Sequence, residues 1–154
     1  MKELIMSVFS NFTLMTVVAA FLISQVIKVI LLRFEEKRWN IWHFFEAGGM
    51  PSSHSATVVA LVLSVALEFG VKSALFTACL VLALVVIRDA MGIRRAAGRQ
   101  AEIINKIVDD VYSTRKERVE KLKEILGHDP IEVFAGSGIA ILVTILIYYV
   151  YFIR

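Results

Sequence analysis

Residues 47–70 read AGGMPSSHSATVVALVLSVALEFG, a glycine turn and a Pro-Ser-Ser-His group that lead directly into a long apolar segment. Such segments recur, and together they cover residues 12–32, 55–69, 73–87 and 133–153. The first and last are as long as the ~20 residues that a helix needs to cross a hydrocarbon core. With 58% hydrophobic residues and a mean hydropathy of +0.72, the chain has more apolar surface than a soluble domain can bury. The sequence therefore predicts one all-α membrane domain, residues 1–154, a helical bundle with about four transmembrane helices.

The two middle segments, 55–69 and 73–87, are shorter than a full span and allow two interpretations. In the first, their flanking turns are also helical and the pair forms a transmembrane hairpin that turns at Gly70-Val71-Lys72. In the second, they are buried helices that do not cross the membrane. The N-terminal apolar run has no convincing cleavage site, so we interpret it as a retained span rather than a signal peptide.

Positive charge is distributed unevenly between the two sides of the predicted bundle. If all four segments span, residues 33–54 and 88–131 lie on the same side and carry 13 of the 17 lysines and arginines. Cytoplasmic loops of membrane proteins carry this excess. We therefore expect a multi-pass protein of the cell membrane with a basic cytoplasmic face and both termini outside. No nucleic-acid-binding motif accompanies the charge, so we expect no nucleic-acid partner.

A polar stretch of about residues 96–126 follows the third predicted span and contains isoleucines and valines at helical spacing. Glu102 and Lys106 have the i,i+4 spacing of an ion pair on an exposed helix face. This stretch is predicted to form a cytoplasmic amphipathic helix, or two helices separated near Ser113-Thr114.

The polar group before the second segment is the first of three places where chemistry could occur. A helix N-terminus offers unpaired backbone N–H groups and the positive end of the helix dipole, which bind anions. Ser52 and Ser53 stand at that position, and His54 would project near the anion. The same residues also fit a purely structural interpretation, with a serine as N-cap, Pro51 as a helix-start residue and His54 as an interfacial side chain.

The second place is Gly127-His128-Asp129-Pro130-Ile131-Glu132, which opens the last apolar segment. Gly127 can end a preceding helix, and the residues after His128 can supply an N-cap, an N1 proline and the N3 glutamate of a capping box. Capping explains Asp129 and Pro130 but does not explain His128.

The third place is the end of the third segment, where Arg88, Arg94 and Arg95 cluster. Arginines there can simply anchor the topology, but they are also bidentate ligands for phosphate oxygens. Lys28 lies within the first span, where an ionisable residue is either functional or extends to the interface. Two histidines, several arginines, a lysine and a carboxylate at one membrane face indicate phosphoryl transfer.

These residues resemble a known family. Pro51-Ser52-Ser53-His54 and His128-x-x-x-Glu132-Val133-x-Ala135-Gly136 are similar to the second and third signatures of the type-2 phosphatidic-acid phosphatase and vanadium-haloperoxidase superfamily. Residues 48–56, together with Asp89-Ala90-Met91-Gly92-Ile93-Arg94-Arg95, are more closely similar to its divergent bacterial and plant branch of small membrane proteins. The resemblance covers most of the chain from Lys28 onward.

The resemblance implies a role for each matching residue. His128 would attack phosphorus and form a phosphohistidine, Glu132 would orient His128, and His54 would protonate the leaving alkoxide. No metal and no cofactor is implied. The residues that would bind the phosphate are Lys28, Ser52, Ser53, Arg88, Arg94 and Arg95.

The sequence departs from the family pattern at three positions. Glu35-Glu36 stand where the first signature has Arg-Pro, and Glu132 stands where aspartate is usual. Leu122 occupies the place of an arginine six residues before the nucleophile. The 32 residues between Arg95 and His128 are either an insertion that leaves this arginine on the preceding helix or the mark of a branch that lost the reaction.

We expect a cytoplasm-facing, acid-phosphatase-like membrane hydrolase that acts on a lipid phosphate or prenyl diphosphate, with the apolar tail of the substrate in the bilayer. One alternative is a catalytically degenerate scaffold that binds anionic lipid or a protein partner through its basic face. Another is a small transporter subunit whose broken helices bind an anion. Gly136-x-Gly138 places small residues at the start of the last segment, which would permit a homo-oligomer.

Overall fold

The computed structural model describes residues 1–37, 41–44, 49–112, 122 and 127–154. The predicted all-α architecture is confirmed, and no strand occurs within these ranges. The predicted break near Ser113-Thr114 lies outside the described residues. The elements in chain order are α1 Lys2–Ser10, α2 Phe12–Glu36, a 3-10 turn at Ile41–Phe44, α3 Ser53–Phe69, α4 Ala74–Met91, α5 Ile93–Tyr112 and α6 Pro130–Phe152.

Three helices in the described ranges are long and apolar enough to cross a membrane, namely α2, α6 and the helical stretch that begins with α4. The helix α4 has 18 residues because it continues past the predicted end at residue 87. The helix α3 has 17 residues and is a little short for a span by itself. It lies at the centre of the molecule, since it packs against α2, α4 and α6. A bundle with three to four spanning helices is therefore the architecture of this chain.

Local capping explains where the helices begin and end. The Asn11 side chain accepts a hydrogen bond from the Leu14 N–H at 2.8 Å, so it separates α1 from α2. The chain turns between α3 and α4 at the predicted position: Gly70, with φ of +79°, ends α3, and the Ser73 hydroxyl caps α4 by accepting from the Phe76 N–H at 3.1 Å. These signals are readable in the sequence because each acts within a few residues.

The centre of the bundle consists of small side chains. Ala20, Ala60 and Ala140, on α2, α3 and α6, are fully buried and form one cluster with Val143. Small residues let helix backbones approach closely, and within a membrane such van der Waals packing stabilises helix association more than hydrophobicity does. The helices α2, α3 and α6 therefore form the compact part of the bundle, whereas α4 packs mainly against α3.

The predicted amphipathic helix is confirmed as α5. Ile103, Ile104 and Ile107 lie exposed along one stripe, and on another face the Lys106 ammonium binds Glu102 at 2.7 Å. This hydrogen bond and the charge of Lys106 lower the pKa of the Glu102 carboxyl. The α5 segment thus carries the apolar stripe and the ion pair that its periodicity predicts.

The two ends of the bundle differ in composition. At the end that we call the histidine end, α2 and α4 finish while α3 and α6 begin. At the other, which we call the aromatic end, the buried ring of Phe12 contacts Tyr148, Tyr151 and Phe152, with centroid distances of 5.9, 5.8 and 5.3 Å. The Tyr151 hydroxyl also donates to the Phe9 carbonyl and connects α6 to α1.

Candidate active site

Backbone hydrogen bonds between different elements assemble the histidine end. The Ser52 N–H, just before α3, donates to the Glu132 carbonyl of α6 at 3.0 Å. The His128 N–H, just before α6, donates to the Ala90 carbonyl of α4 at 3.0 Å. The start of α3 and the end of α4, which are far from residues 128–132 in sequence, are thus both hydrogen-bonded to the start of α6. Since backbone polar groups at a buried helix end need partners, these bonds fix the relative positions of both candidate motifs.

Gly136 permits the close approach of α3 and α6. A Cβ atom at this position would overlap the Ser52 carbonyl oxygen and the Ser55 hydroxyl. No such contact arises at Gly138, where a Cβ would meet open space. The small residues that we interpreted as a surface for oligomer contact therefore have different surroundings: Gly136 packs within this chain, and only Gly138 is left to support an interface with another copy.

The fold brings the two candidate histidines together. The His54 and His128 rings have centroids 5.7 Å apart and planes inclined by 63°. His128 is buried, with 3% of its surface exposed, and His54 is half-buried. At this distance both imidazole rings can contact the same small chemical group of a bound ligand.

Glu132 binds the ring of His128. One carboxylate oxygen lies 2.6 Å from His128 Nδ1, and this i,i+4 pair is largely enclosed. Because a carboxylate accepts hydrogen bonds, it favours the tautomer with hydrogen on Nδ1 and directs the Nε2 lone pair away from itself. A buried imidazole oriented in this way is the form in which histidine acts as a nucleophile.

The capping box predicted at this helix start does not form. Asp129 is the N-cap residue and Pro130 the N1 residue, as predicted, but within the described part of the chain Asp129 makes no side-chain cap hydrogen bond. The Glu132 carboxylate contacts His128 instead of forming the reciprocal bond of the box. The local capping rule is overridden because the adjacent imidazole is a closer and stronger partner for the carboxylate.

Lys28 lies on α2 at the same end of the bundle and is almost completely buried, with 1% of its surface exposed. The turn at Gly49 passes over its aliphatic stem, since a Cβ at Gly49 would lie 3.9 Å from Lys28 Cγ and Cδ. Gly49 has a φ of +79°, which only glycine adopts without strain. The glycine turn before Pro51 therefore covers the buried lysine and leads into the serines.

The two serines have different surroundings. Ser52 is fully buried and is the N-cap of α3, since its hydroxyl accepts from the Ser55 N–H at 3.3 Å. Its own N–H donates a hydrogen bond to the Glu132 carbonyl. Ser53 is the first residue of α3 and is also buried. Ser52 thus has a structural role that the sequence predicted, while Ser53 stands at the helix N-terminus.

The predicted arginines lie at and beyond the end of α4. Arg88 is in the last turn of α4 and is exposed. Arg94 and Arg95 are in the first turn of α5, and their side chains lie outside the described residues. Leu122, which occupies the family's arginine position, is bound through its backbone to the Asn105 amide of α5, at 2.8 and 2.9 Å.

Two contributions to the site were not predicted from the sequence. One is the Ala90 carbonyl, a backbone group that no side-chain pattern reveals. The other is the role of Gly136 within the chain. A usable signal existed for Gly136, because it follows Glu132 by four residues in α6 and so lies on the same face of that helix.

Comparison with known proteins gives a consistent result. A family model described as "Divergent PAP2 family" matches residues 9–143. The membrane protein YuiD of Bacillus subtilis (strain 168) is 42% identical over 155 residues, which covers 94% of this chain and 98% of the relative. No solved structure matches the chain. The matched region includes both histidines, the glutamate and the buried lysine.

Proposed function

The chain belongs to the divergent PAP2 family, and from that premise we propose that it is a membrane phosphatase that hydrolyses a lipid phosphate or a prenyl diphosphate through a phosphohistidine. The observation that carries the proposal is the pairing of a buried, carboxylate-bound His128 with a second imidazole, His54, at 5.7 Å. A buried imidazole bound to a carboxylate, with a second imidazole beside it, can supply the nucleophile and the general acid that phosphoryl transfer to histidine needs.

In the first step, His128 Nε2 forms a bond to phosphorus while the bond from phosphorus to the leaving oxygen breaks. His54, as imidazolium, transfers its proton to that oxygen, which leaves as an alcohol or a monophosphate. In the second step, neutral His54 accepts a proton from water as the water oxygen attacks the phosphohistidine, and inorganic phosphate and free His128 result. Glu132 stabilises the positive charge that develops on the His128 ring.

The phosphate oxygens require positive charge and N–H donors. We assign these to the Lys28 ammonium, to Ser53 at the N-terminus of α3, and to an arginine from Arg88, Arg94 or Arg95. The helix dipole of α3 points its positive end at the same place. With the basic face in the cytoplasm, the substrate headgroup would enter from that side and its apolar tail would stay in the bilayer.

Phosphate release from a panel of lipid phosphates and prenyl diphosphates, in detergent, tests this proposal. We expect release by the wild-type protein and its loss in His128→Ala and His54→Ala. The third histidine of the chain provides a matched control, and His43→Ala is expected to retain activity. Brief incubation of the wild-type protein with substrate labelled in the phosphate, quenched in alkali, should label it with a phosphoramidate that is stable to alkali and labile to acid, and His128→Ala should stay unlabelled.

A panel in which no substrate releases phosphate above the level of both histidine variants would contradict the proposal. The second candidate would then apply, a membrane scaffold that binds anionic lipid. The specific observation in its favour is the exposed stripe of Ile103, Ile104 and Ile107 on α5, with the exposed Arg99 and Lys106 nearby. Helices with this arrangement bind at membrane surfaces.

A further inference from the structure

A cavity of about 340 Å³ lies between α2, α3 and α4, toward the aromatic end and away from the paired histidines. Its volume falls in the range of sites that hold small ligands. Both candidate histidines and the buried lysine are absent from its lining, so it is separate from the candidate active site. The lining residues are Asn11, Thr13, Leu14, Val17, Leu61, Val65, Glu68, Phe69, Leu75 and Cys79.

The lining changes character along the bundle axis. Asn11, Thr13 and Glu68 lie where α2 begins and α3 ends, at the level of the predicted membrane interface. Deeper in the bundle the lining is apolar, and it includes the buried Val65 and Cys79. A polar mouth above an apolar interior has the same order as the headgroup and the hydrocarbon chain of a lipid.

The cavity is in contact with the surroundings of the bundle. Leu14 of α2, Phe69 of α3 and Leu75 of α4 line it, and each is more than one-third exposed. The α4 helix packs mainly against α3, and the exposed parts of these three side chains open the cavity to the outside of the bundle. In a membrane this side of the protein faces lipid, so a hydrocarbon chain can enter laterally.

The Thr13–Glu68 pair gives the mouth of the cavity a fixed negative charge. The Thr13 hydroxyl donates to Glu68 Oε2 at 2.7 Å and connects α2 to α3. This bond orients the carboxylate and uses one of its two oxygens; the other, Oε1, accepts no hydrogen bond from the described residues. A carboxylate in this position complements a cationic amine and repels a phosphate diester without one.

We propose that this cavity binds one phospholipid with a primary-amine headgroup, whose ammonium contacts Glu68 and one of whose chains lies against Val65 and Cys79. The site would be occupied from the leaflet at the aromatic end, opposite to the leaflet that reaches the histidines. It is a binding site for a resident lipid and takes no part in phosphoryl transfer.

Native mass spectrometry of the detergent-solubilised protein tests the site, with phosphatidylethanolamine and phosphatidylglycerol of identical acyl chains added in turn. We expect one bound phosphatidylethanolamine in about tenfold preference, since a hydrogen bond to a charged group contributes roughly this factor. Glu68→Gln should abolish the preference. Val65→Phe, which fills the apolar part, should lose both lipids, whereas Ile145→Phe, on the exposed surface of α6, should bind as the wild type does.

Equal retention of the two lipids by the wild-type protein, or normal retention by Val65→Phe, would overturn the proposal. A second measurement needs no substitution, because Cys79 is the only cysteine of the chain and lines the cavity. Phosphatidylethanolamine should slow the alkylation of Cys79 by a maleimide several-fold, and phosphatidylglycerol should not. Alkylation at the same rate with both lipids would contradict the proposed site even if Val65→Phe failed to fold.

Discussion

The two ends of this bundle are built on different principles. At the histidine end, polar groups are buried and held by hydrogen bonds between elements far apart in sequence, such as Ser52 to Glu132 and His128 to Ala90. At the aromatic end, Phe12 is buried among three rings, and the Thr13–Glu68 hydrogen bond is exposed. Aromatic packing stabilises a bundle without burying charge. The difference teaches that aromatic packing stabilises one end of the bundle, whereas the other end buries the polar groups that the proposed reaction would use.

Carboxylates at the two ends provide the sharpest test of this difference. Glu132→Gln keeps the size of the side chain but removes the charge that orients His128 and stabilises its positive form. We expect kcat to fall by about 10²–10⁴, as for the acid of a catalytic triad. Glu3→Gln, on the exposed α1 next to the aromatic end, should leave kcat unchanged. A Glu132→Gln variant with normal kcat would remove Glu132 from the mechanism.

Substitutions at Gly136 and Gly138 test whether the histidine end depends on the close contact between α3 and α6. Gly136→Ala places a methyl group against the Ser52 carbonyl and the Ser55 hydroxyl, so α3 and α6 must move apart. We expect a loss of about 1–3 kcal/mol in stability together with a loss of kcat. Thermal unfolding in detergent and phosphate release measure the two effects. Gly138→Ala, with open space around it, serves as the control, and an equal effect of both variants would contradict the close α3–α6 contact.

The helix caps give the smallest expected effect. Ser52→Ala and Ser73→Ala each remove the N-cap hydroxyl of a helix, α3 at the histidine end and α4 at the aromatic end. Each should lower stability by about 1 kcal/mol. Only Ser52→Ala should also reduce phosphatase activity, because α3 carries His54 in its first turn. If Ser73→Ala reduced activity equally, the effect would be one of stability alone.

The helices and turns were predictable because their signals are local. Apolar runs of the length of a membrane span, the Gly70 turn and the serine caps each depend on neighbouring residues. The i,i+4 pairing of Glu102 with Lys106 was predicted for the same reason. The one local rule that failed, the capping box at Asp129, was overridden by the imidazole of His128.

The assembly of the site could be predicted only in part. The two histidine motifs were identified from their residues. The distance between them in the fold depends on backbone hydrogen bonds, which a pattern of side chains does not predict. Gly136 shows the same limit. Its small size indicated a close helix contact, yet the sequence does not say whether the partner is α3 of this chain or a helix of another copy.

The hydrogen bond from the His128 N–H to the Ala90 carbonyl connects the proposed nucleophile to the last turn of α4. That helix has a large lipid-exposed surface, with Leu82, Leu84 and Val85 about half exposed or more. A helix so placed adjusts its tilt to the thickness of the surrounding hydrocarbon layer. In the proposed phosphatase, membrane thickness would therefore act on the position of the attacking imidazole, and the surrounding lipid would affect the rate of the reaction.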